Sequence, residues 1–207
     1  MQPRVFIPDF GMGNLHSIKQ GLKRIGVSPV VSADSSEIKK ADKIILPGVG
    51  HFQTAMQHLG ELGMIDALND FVLLKKKPVL GICLGMQLMT HNSEEGADAR
   101  GFGWIDANVI RFRITDVVKY KVPHIGWNPV GIMQSNSLFR EIPDLSEFYF
   151  IHAYHLKLNN PDDVLGETNY ETFFPSAIAR DNIFGVQFHP EKSFKAGNMV
   201  LKNFIDY

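Results

Sequence analysis

The stretch KKPVLGICLGMQLMTHN, from Lys76 to Asn92, contains Cys83, the single cysteine of the 207-residue chain. An apolar run of strand length precedes the cysteine, and the residues after it have the character of a helix. Gly81 and Gly85 bracket the thiol, so the backbone can turn tightly and leave room for a reacting atom. A strand, a G-x-C-x-G turn and a helix have the form of a nucleophile elbow, with cysteine in place of serine.

Two interpretations of Cys83 stay open on this stretch alone. A lone cysteine is most often a small buried apolar side chain. At the start of a helix it would instead meet amide N–H groups and the positive end of the helix dipole, which stabilise a thiolate. A nucleophile also needs a base within reach, and another part of the chain has to supply it.

The residues before the elbow alternate between strand and helix patterns. We predict strands at 4–7, within 27–33 and from residue 43, and helices at 15–25, from residue 35 and over 54–74, the last interrupted near Gly60 and Gly63. Such alternation predicts an α/β fold, with a parallel sheet covered by helices on both faces. The loops 9–14 and 47–52 and the elbow would then meet at the carboxyl edge of that sheet, where ligands bind.

The second half of the chain has a different character. Segments rich in β-branched and aromatic residues lie at 104–113, 124–133, 148–158, 175–180 and 183–189. We interpret them as mostly antiparallel strands, which makes the central sheet mixed, and we predict a closing helix over 196–207. The polar segment 92–103 is predicted to be a surface loop and the most mobile element.

The composition excludes several classes of protein. The formal net charge is −1 and no long Lys/Arg run is present, which argues against a nucleic-acid-binding surface. One cysteine cannot form an internal disulfide and is typical of a reducing compartment, so we expect a cytoplasmic protein. We expect no signal peptide and no membrane-spanning segment, because the apolar part of the N-terminal residues is too short and no apolar segment approaches membrane-spanning length. A length of 207 residues predicts one domain over 1–207.

A candidate base for the thiol lies in GVQFHPEKS, residues 185–193. Pro190 disfavours the helical region for the residue before it, so His189 is expected to be extended. Side chains of an extended chain repeat with period two, which predicts that His189 and Glu191 project to the same side. A carboxylate beside an imidazole fixes its tautomer and stabilises the imidazolium. Alone, this pattern also fits an exposed strand end; combined with the elbow it favours nucleophilic catalysis.

Three blocks, PGVGHF, GICLGMQLM and GVQFHPEKS, occur in this order and resemble the signature blocks of class I glutamine amidotransferases. The resemblance extends over nearly the whole chain. DFGMGNLHSI, VPHIGWN and YFIHAYH narrow it to glutaminase subunits of imidazole glycerol phosphate synthases. It implies a three-layer fold with a mixed central sheet and additional antiparallel strands in the second half. It also implies hydrolysis of glutamine to glutamate and ammonia, in histidine biosynthesis.

The resemblance implies a Cys83–His189–Glu191 triad. Cys83 would attack the carboxamide of glutamine, and His189, oriented by Glu191, would protonate the departing ammonia to leave a glutamyl thioester. The oxyanion would be stabilised by Leu84 N–H and by an amide of the loop containing Val49 and Gly50.

The resemblance also implies a substrate pocket formed by Gly50, Gln87 and the strand His152, Ala153 and Tyr154. From its position alone, Gln87 would be interpreted as a solvated helix residue. His152 and His155 form an H-x-x-H pair, but this spacing would point them to opposite faces of a strand, so we predict no metal site. No cofactor is expected.

A synthase partner is implied because free ammonia would be protonated and diluted. By resemblance this partner is a (β/α)₈-barrel cyclase acting on a phosphoribosyl-formimino aminoimidazole carboxamide nucleotide, bound in a heterodimer. The residues implied at its interface are Asn14, Trp127, Tyr149 and Lys192.

Two positions depart from the family pattern. Phe10 stands where the family commonly has Tyr, and Ala153 where it commonly has Ser. Neither belongs to the triad, but both leave open a related subunit that feeds ammonia to another acceptor, for example in amidino-sugar formation for surface polysaccharides. A non-catalytic scaffold and a freely acting hydrolase are the remaining alternatives.

Overall fold

The structure is a computed structural model, and it describes residues 2–96 and 99–207. Among these residues, thirteen strands form one sheet of nine strands and another of four. The strands are β1 (Val5–Pro8), β2 (Val30–Ser32), β3 (Lys43–Leu46), β4 (Val79–Ile82), β5 (Asn92–Ser93), β6 (Ala99–Arg100), β7 (Ala107–Arg111), β8 (His124–Ile132), β9 (Ser146–His152), β10 (Tyr154–Leu158), β11 (Val164–Tyr170), β12 (Thr172–Arg180) and β13 (Ile183–Val186).

The α-helices are α1 (Leu15–Arg24), α2 (Phe52–Glu61), α3 (Met64–Asn69), α4 (Leu84–Leu88) and α5 (Phe194–Asp206). A π-helical segment, Asp70–Leu74, continues α3, and 3₁₀ helices lie at Ser35–Lys40, Ser137–Phe139, Pro161–Asp163 and Pro190–Lys192. The predicted break in the helical region 54–74 is confirmed, and Gly63 supplies it with a φ of +61°. None of the described helices has both the length and the apolar character needed to cross a membrane.

The larger sheet is mixed, as predicted. Its order is β2-β1-β3-β4-β13-β12-β11-β8-β9. The first five of these strands run parallel, and each later strand pairs antiparallel with its neighbour. β1, β3, β4 and β13 are buried along their whole length, as apolar parallel strands covered on both faces should be.

Helices cover both faces of the parallel strands. On one face, Leu22 of α1 and Phe204 of α5 pack with Ile7 of β1. On the other face, Leu59 of α2 packs in a core that includes Phe6 of the same strand. Successive side chains of a strand point to opposite faces, so one apolar strand serves both cores. The carboxyl ends of β1, β3, β4 and β13 therefore share one edge of a three-layer molecule.

The structure corrects two sequence predictions. The segment 148–158, predicted as one strand, breaks at Ala153 into β9 and β10, which belong to different sheets. The segment 92–103, predicted as a loop, contains the short antiparallel strands β5 and β6. Residues 97–98 of that segment lie outside the described residues.

Candidate active site

Cys83 occupies a sharp turn between β4 and α4. Its backbone has φ 53° and ψ −111°, a conformation that costs a non-glycine residue about 1–3 kcal/mol and is found mainly at functional sites. The carbonyl of Cys83 accepts hydrogen bonds from Met86 N–H (3.1 Å) and Gln87 N–H (3.2 Å), which close the first turn of α4. The residue is 6% exposed. This geometry is that of a nucleophile elbow.

Close backbone packing holds the elbow against its neighbours. A Cβ on Gly85 would overlap the Leu46 carbonyl oxygen of β3, so only glycine lets α4 approach that strand. A Cβ on Gly48 would lie 2.6 Å from Leu84 Cβ. The loop that contains Val49 and Gly50 therefore begins in direct contact with the residue after the cysteine.

Gly85→Ala is expected to destabilise the fold by at least about 1–3 kcal/mol, because the methyl group and a strand carbonyl cannot share the same space. Gly60→Ala is the matched control. Gly60 lies in α2 with only Ile65 Cδ1, at 3.6 Å, near an added Cβ. That control should gain about 0.4–1 kcal/mol from lower chain entropy. Urea unfolding of both variants measures the difference, and equal stabilities would contradict the close approach at Gly85.

His189 and Glu191 form a buried pair beside the elbow. His189 Nδ1 lies 2.8 Å from Glu191 Oε1, and the two side chains are only 2% and 1% exposed. His189 is extended, with φ −101° and ψ 94°. Glu191 lies in the 3₁₀ helix Pro190–Lys192, so the period-two argument is wrong at that residue although the side chains do meet. Ser193 Oγ donates to the His189 carbonyl at 2.6 Å and tightens this turn.

The electrostatics of His189 favour an imidazolium. Burial alone would lower the pKa of His189, but the negative charge of a Cys83 thiolate and the Glu191 carboxylate outweigh burial and raise it to about 10. His189 Nε2 is buried without a hydrogen-bond partner among the described residues. With Nδ1 engaged by Glu191, Nε2 is the ring nitrogen that remains available.

Gln187 is a site residue that sequence reasoning missed. Its Nε2 lies 3.5 Å from Cys83 Sγ, and its Oε1 accepts a hydrogen bond from Gln87 Nε2 at 3.0 Å. Gln87 Nε2 also donates to the Tyr154 carbonyl at 3.0 Å. Gln87 is 4% exposed, so its interpretation as a solvated residue is wrong. The available signal was a polar residue in an apolar run, two positions before His189.

The remaining predicted pocket residues lie around the same edge. Cys83 Sγ is 3.8 Å from the Ile151 carbonyl, so the end of β9 lies beside the thiol. Val49 is 44% exposed. The amide N–H groups of Leu84, Val49 and Gly50 donate no hydrogen bond to the described residues.

The residues predicted at a partner interface lie mostly together. Trp127 stands 5.9 Å from Tyr149 between ring centroids, and Lys192 Nζ lies 5.4 Å from the Tyr149 ring. The sequence did not identify Phe194, which is 75% exposed and stacks on Trp127 at 5.1 Å. Asn14 takes no part in this cluster of aromatic side chains; it is exposed, and its Oδ1 caps α1 by accepting from Ser17 N–H at 3.0 Å.

The H-x-x-H pair is arranged differently from the prediction. Because the strand breaks at Ala153, the rings of His152 and His155 both pack against Phe112, with centroids 5.2 and 4.6 Å away, rather than on opposite faces. Within 2–96 and 99–207, no group of three or more His, Cys, Asp or Glu side chains is placed to hold a metal ion.

Residues 6–207 match the family described as "Glutamine amidotransferase class-I". The chain belongs to this family, and its enzyme class, predicted from the three sequence blocks, is confirmed. Solved structures agree on the fold. A glutamine amidotransferase superposes with a TM-score of 0.76 at 18% identity, covering 98% of this chain and 97% of that one. PurLQS from Thermotoga maritima gives 0.75 at 15% identity, with 100% and 99% coverage.

More similar relatives narrow the assignment within the family. The chain is 46% identical to the imidazole glycerol phosphate synthase subunit HisH 2 of Methanococcus maripaludis, covering 97% of this chain and 98% of that protein. It is 45% identical to subunit HisH 2 of Pseudomonas aeruginosa, with 98% of each chain covered. For the HisH subunit of Sulfurimonas denitrificans, identity is 43% and coverage again 98% of each. The chain is thus a glutamine amidotransferase of the HisH group.

Proposed function

We propose that this protein is the glutaminase subunit of an imidazole glycerol phosphate synthase, hydrolysing glutamine and passing ammonia to a cyclase subunit in histidine biosynthesis. The observation that carries the proposal is the strained Cys83 elbow beside the buried His189–Glu191 pair. Similarity to HisH subunits over nearly the full chain supports the pathway. A cytoplasmic location fits a free thiol nucleophile, which persists in a reducing compartment.

In the proposed reaction, the Cys83 thiolate attacks the carboxamide carbon of glutamine and a tetrahedral intermediate forms. The His189 imidazolium gives its proton to the amide nitrogen, the C–N bond breaks and ammonia leaves. Neutral His189 then takes a proton from water as the water oxygen attacks the thioester carbonyl. The C–S bond breaks, glutamate leaves, and the Cys83 thiolate and the His189 imidazolium are restored. Glu191 holds the ring so that Nδ1 carries hydrogen and Nε2 faces the chemistry.

The proposed oxyanion donors are Leu84 N–H and an amide of the loop containing Val49 and Gly50. Their lack of hydrogen bonds to the described residues supports this role, since an amide engaged elsewhere would not be available to an oxyanion. Losing one such donor typically costs about 2.7–4 kcal/mol in barrier. In the same proposal, Gln87 and the turn His152–Tyr154 hold the substrate, with Gln87 Oε1 as an acceptor for its polar hydrogens.

The proposed partner is a (β/α)₈-barrel cyclase that docks over the site in a heterodimer. The cluster of Trp127, Tyr149, Lys192 and Phe194 supports a docking surface, because aromatic side chains are enriched at interfaces and all four are at least partly exposed. Tyr149 also links this surface to the site, since its carbonyl accepts a hydrogen bond from His189 N–H at 2.9 Å. Asn14 is proposed at the rim of the same interface.

The proposal predicts that glutamate release is slow for the protein alone and rises at least about tenfold with a histidine-pathway cyclase and its nucleotide. The physical reason is that a partner bound at the aromatic cluster shifts the conformational equilibrium of the active site toward its catalytically competent form. Release is measured by coupling to glutamate dehydrogenase. An equally fast reaction without the cyclase would contradict partner dependence and indicate a freely acting hydrolase.

Trp127→Ala is the matched test of the docking surface, and Phe173→Ala is its control because Phe173 is 67% exposed on β12. The first variant should lose the cyclase response and keep the slow basal rate; the second should keep both.

If the histidine cyclase has no effect while a glutamine-like electrophile still labels Cys83, the glutaminase chemistry stands. Another acceptor, such as an amidino-sugar synthase, then takes the cyclase's place. Phe10, one of the two departures from the family pattern, is 2% exposed and packs in the core, so its ring is not available to contact a partner subunit.

A further inference from the structure

Two buried histidines, whose imidazole rings have no role in the proposed chemistry, face each other across β8 and β9. His124 and His152 are directly paired in the strand register, and His124 Nδ1 lies 3.1 Å from His152 Nε2. They are 0% and 6% exposed. A buried polar network whose hydrogen bonds are all satisfied rigidifies its surroundings, whereas an unpaired buried polar group is costly.

The direction of each hydrogen bond follows from one carbonyl. His152 Nδ1 lies 2.8 Å from the Tyr154 carbonyl, which only accepts, so Nδ1 carries hydrogen. A neutral His152 then accepts at Nε2, and His124 Nδ1 must donate to it. His124 Nε2 is left as an acceptor, which Asn128 Nδ2 satisfies at 2.6 Å. The donors therefore run from Asn128 through both rings to Tyr154.

The surroundings keep both rings neutral. The His124 ring stacks on Tyr170 at 3.9 Å and on Phe150 at 5.0 Å, and Phe112 lies against His152. Burial lowers the pKa of His124 to about 4. Burial, and then the neighbouring His124, lower the pKa of His152 well below its usual value. His155 and His189 are the other titratable groups that act on His152, and positive charge on either lowers the pKa of His152 further.

A second branch leads from the same carbonyl to the thiol. Gln87 Nε2 donates to the Tyr154 carbonyl and, with its other hydrogen, to Gln187 Oε1. Gln187 Nε2 is therefore the group that faces Cys83 Sγ at 3.5 Å. The Tyr154 carbonyl thus accepts one hydrogen bond from His152 and one from Gln87. Together these contacts form a continuous chain from Asn128 to the Cys83 sulfur, which we call the relay.

We propose that Asn128, His124 and His152 are positioning residues, which hold the Tyr154 carbonyl so that Gln87 and Gln187 are oriented toward the substrate and Cys83. The inference rests on the proposed function, since it takes glutamine as the ligand at Cys83. The three positioning residues affect glutamine binding through Gln87. With both hydrogens of Nε2 engaged, Gln87 presents Oε1 to the substrate, and loosening the carbonyl frees the amide to rotate away.

His124→Phe tests the relay, because phenylalanine keeps the stacking on Tyr170 and Phe150 and removes both ring nitrogens. His124→Asn is the matched variant, since its side-chain amide keeps a donor where Nδ1 was. We expect His124→Phe to raise the KM for glutamine about five- to tenfold, the size of one lost hydrogen bond, with kcat changed less than twofold. His124→Asn should return KM to within about threefold of the original. An unchanged KM in His124→Phe, or a fall in kcat alone, would overturn the proposal.

A spectroscopic measurement tests the relay independently of any assay of enzyme activity. Nitrogen–proton correlation spectra of the imidazoles at pH 7 should show His124 and His152 neutral with hydrogen on Nδ1. Hydrogen on Nε2 of either ring would overturn the assignment. If the original protein hydrolysed no glutamine even with its cyclase, the proposed function would fail, and these spectra would still report whether the relay exists.

Discussion

Replacement of Cys83 by alanine is expected to abolish glutamine hydrolysis, lowering kcat by roughly 10⁴-fold or more, with or without a partner subunit. The thiol is the only candidate nucleophile of the proposed reaction, and removing a nucleophile leaves only the rate acceleration from binding and the oxyanion donors. Glutamate release under saturating glutamine measures the effect. Residual activity above about one per cent of the original would contradict a thioester mechanism at this residue.

Two further variants separate chemistry from folding. Met86→Leu, at a fully buried position of α4, is a volume-conserving exchange that should cost less than about 1.5 kcal/mol and retain activity. Cys83→Gly should be inactive but more stable than Cys83→Ala by about 1 kcal/mol, because glycine adopts φ 53° and ψ −111° without strain. A glycine variant less stable than Cys83→Ala would mean that the elbow stores no strain. Equal inactivity of Cys83→Gly and Cys83→Ala would still assign the chemistry to the thiol.

The elbow and the parallel strands could be predicted because their signals are local. A short apolar run, a glycine-bracketed cysteine and a helix pattern occupy consecutive residues, and the structure places β4, Cys83 and α4 there. Burial on both faces also gives parallel strands an uninterrupted apolar sequence. β11 was missed because GETNY interrupts its apolar pattern, although the strand lies inside the sheet between β12 and β8.

The contacts that complete the site depend on tertiary placement. Gln187 reaches Cys83 only because β13 pairs in parallel with β4, with Val186 opposite Ile82, and nothing in either segment states that register. The break at Ala153 likewise depends on tertiary structure, since β9 joins the nine-stranded sheet and β10 the four-stranded sheet. Glu191 meets His189 through a 3₁₀ turn, so the predicted partnership agrees with the structure although the geometric reason for it does not.

Glu191→Gln is expected to lower kcat roughly 10⁴-fold, the loss typical when the orienting acid of a triad becomes an amide. The amide is nearly isosteric but carries no charge to stabilise the imidazolium, and either end of it can face His189 Nδ1, which leaves the tautomer unspecified. Glu147→Gln, at an exposed position of β9, is the matched control and should be unaffected. Comparable losses in both variants would indicate a general effect of charge.

The pH dependence gives the same variant a second, independent readout. Because the folded protein raises the pKa of His189 from the usual 6.5 to about 10, the protonated ring contributes stability that is complete below pH 6.5 and lost as pH rises toward 10. Without the Glu191 charge, burial opposes a weaker attraction and the pKa of His189 falls. The difference in Tm between the original protein and Glu191→Gln should therefore be largest near pH 6 and shrink toward pH 10. A difference that grows with pH would mean that His189 is neutral in the folded protein and that the imidazolium–thiolate pair does not form.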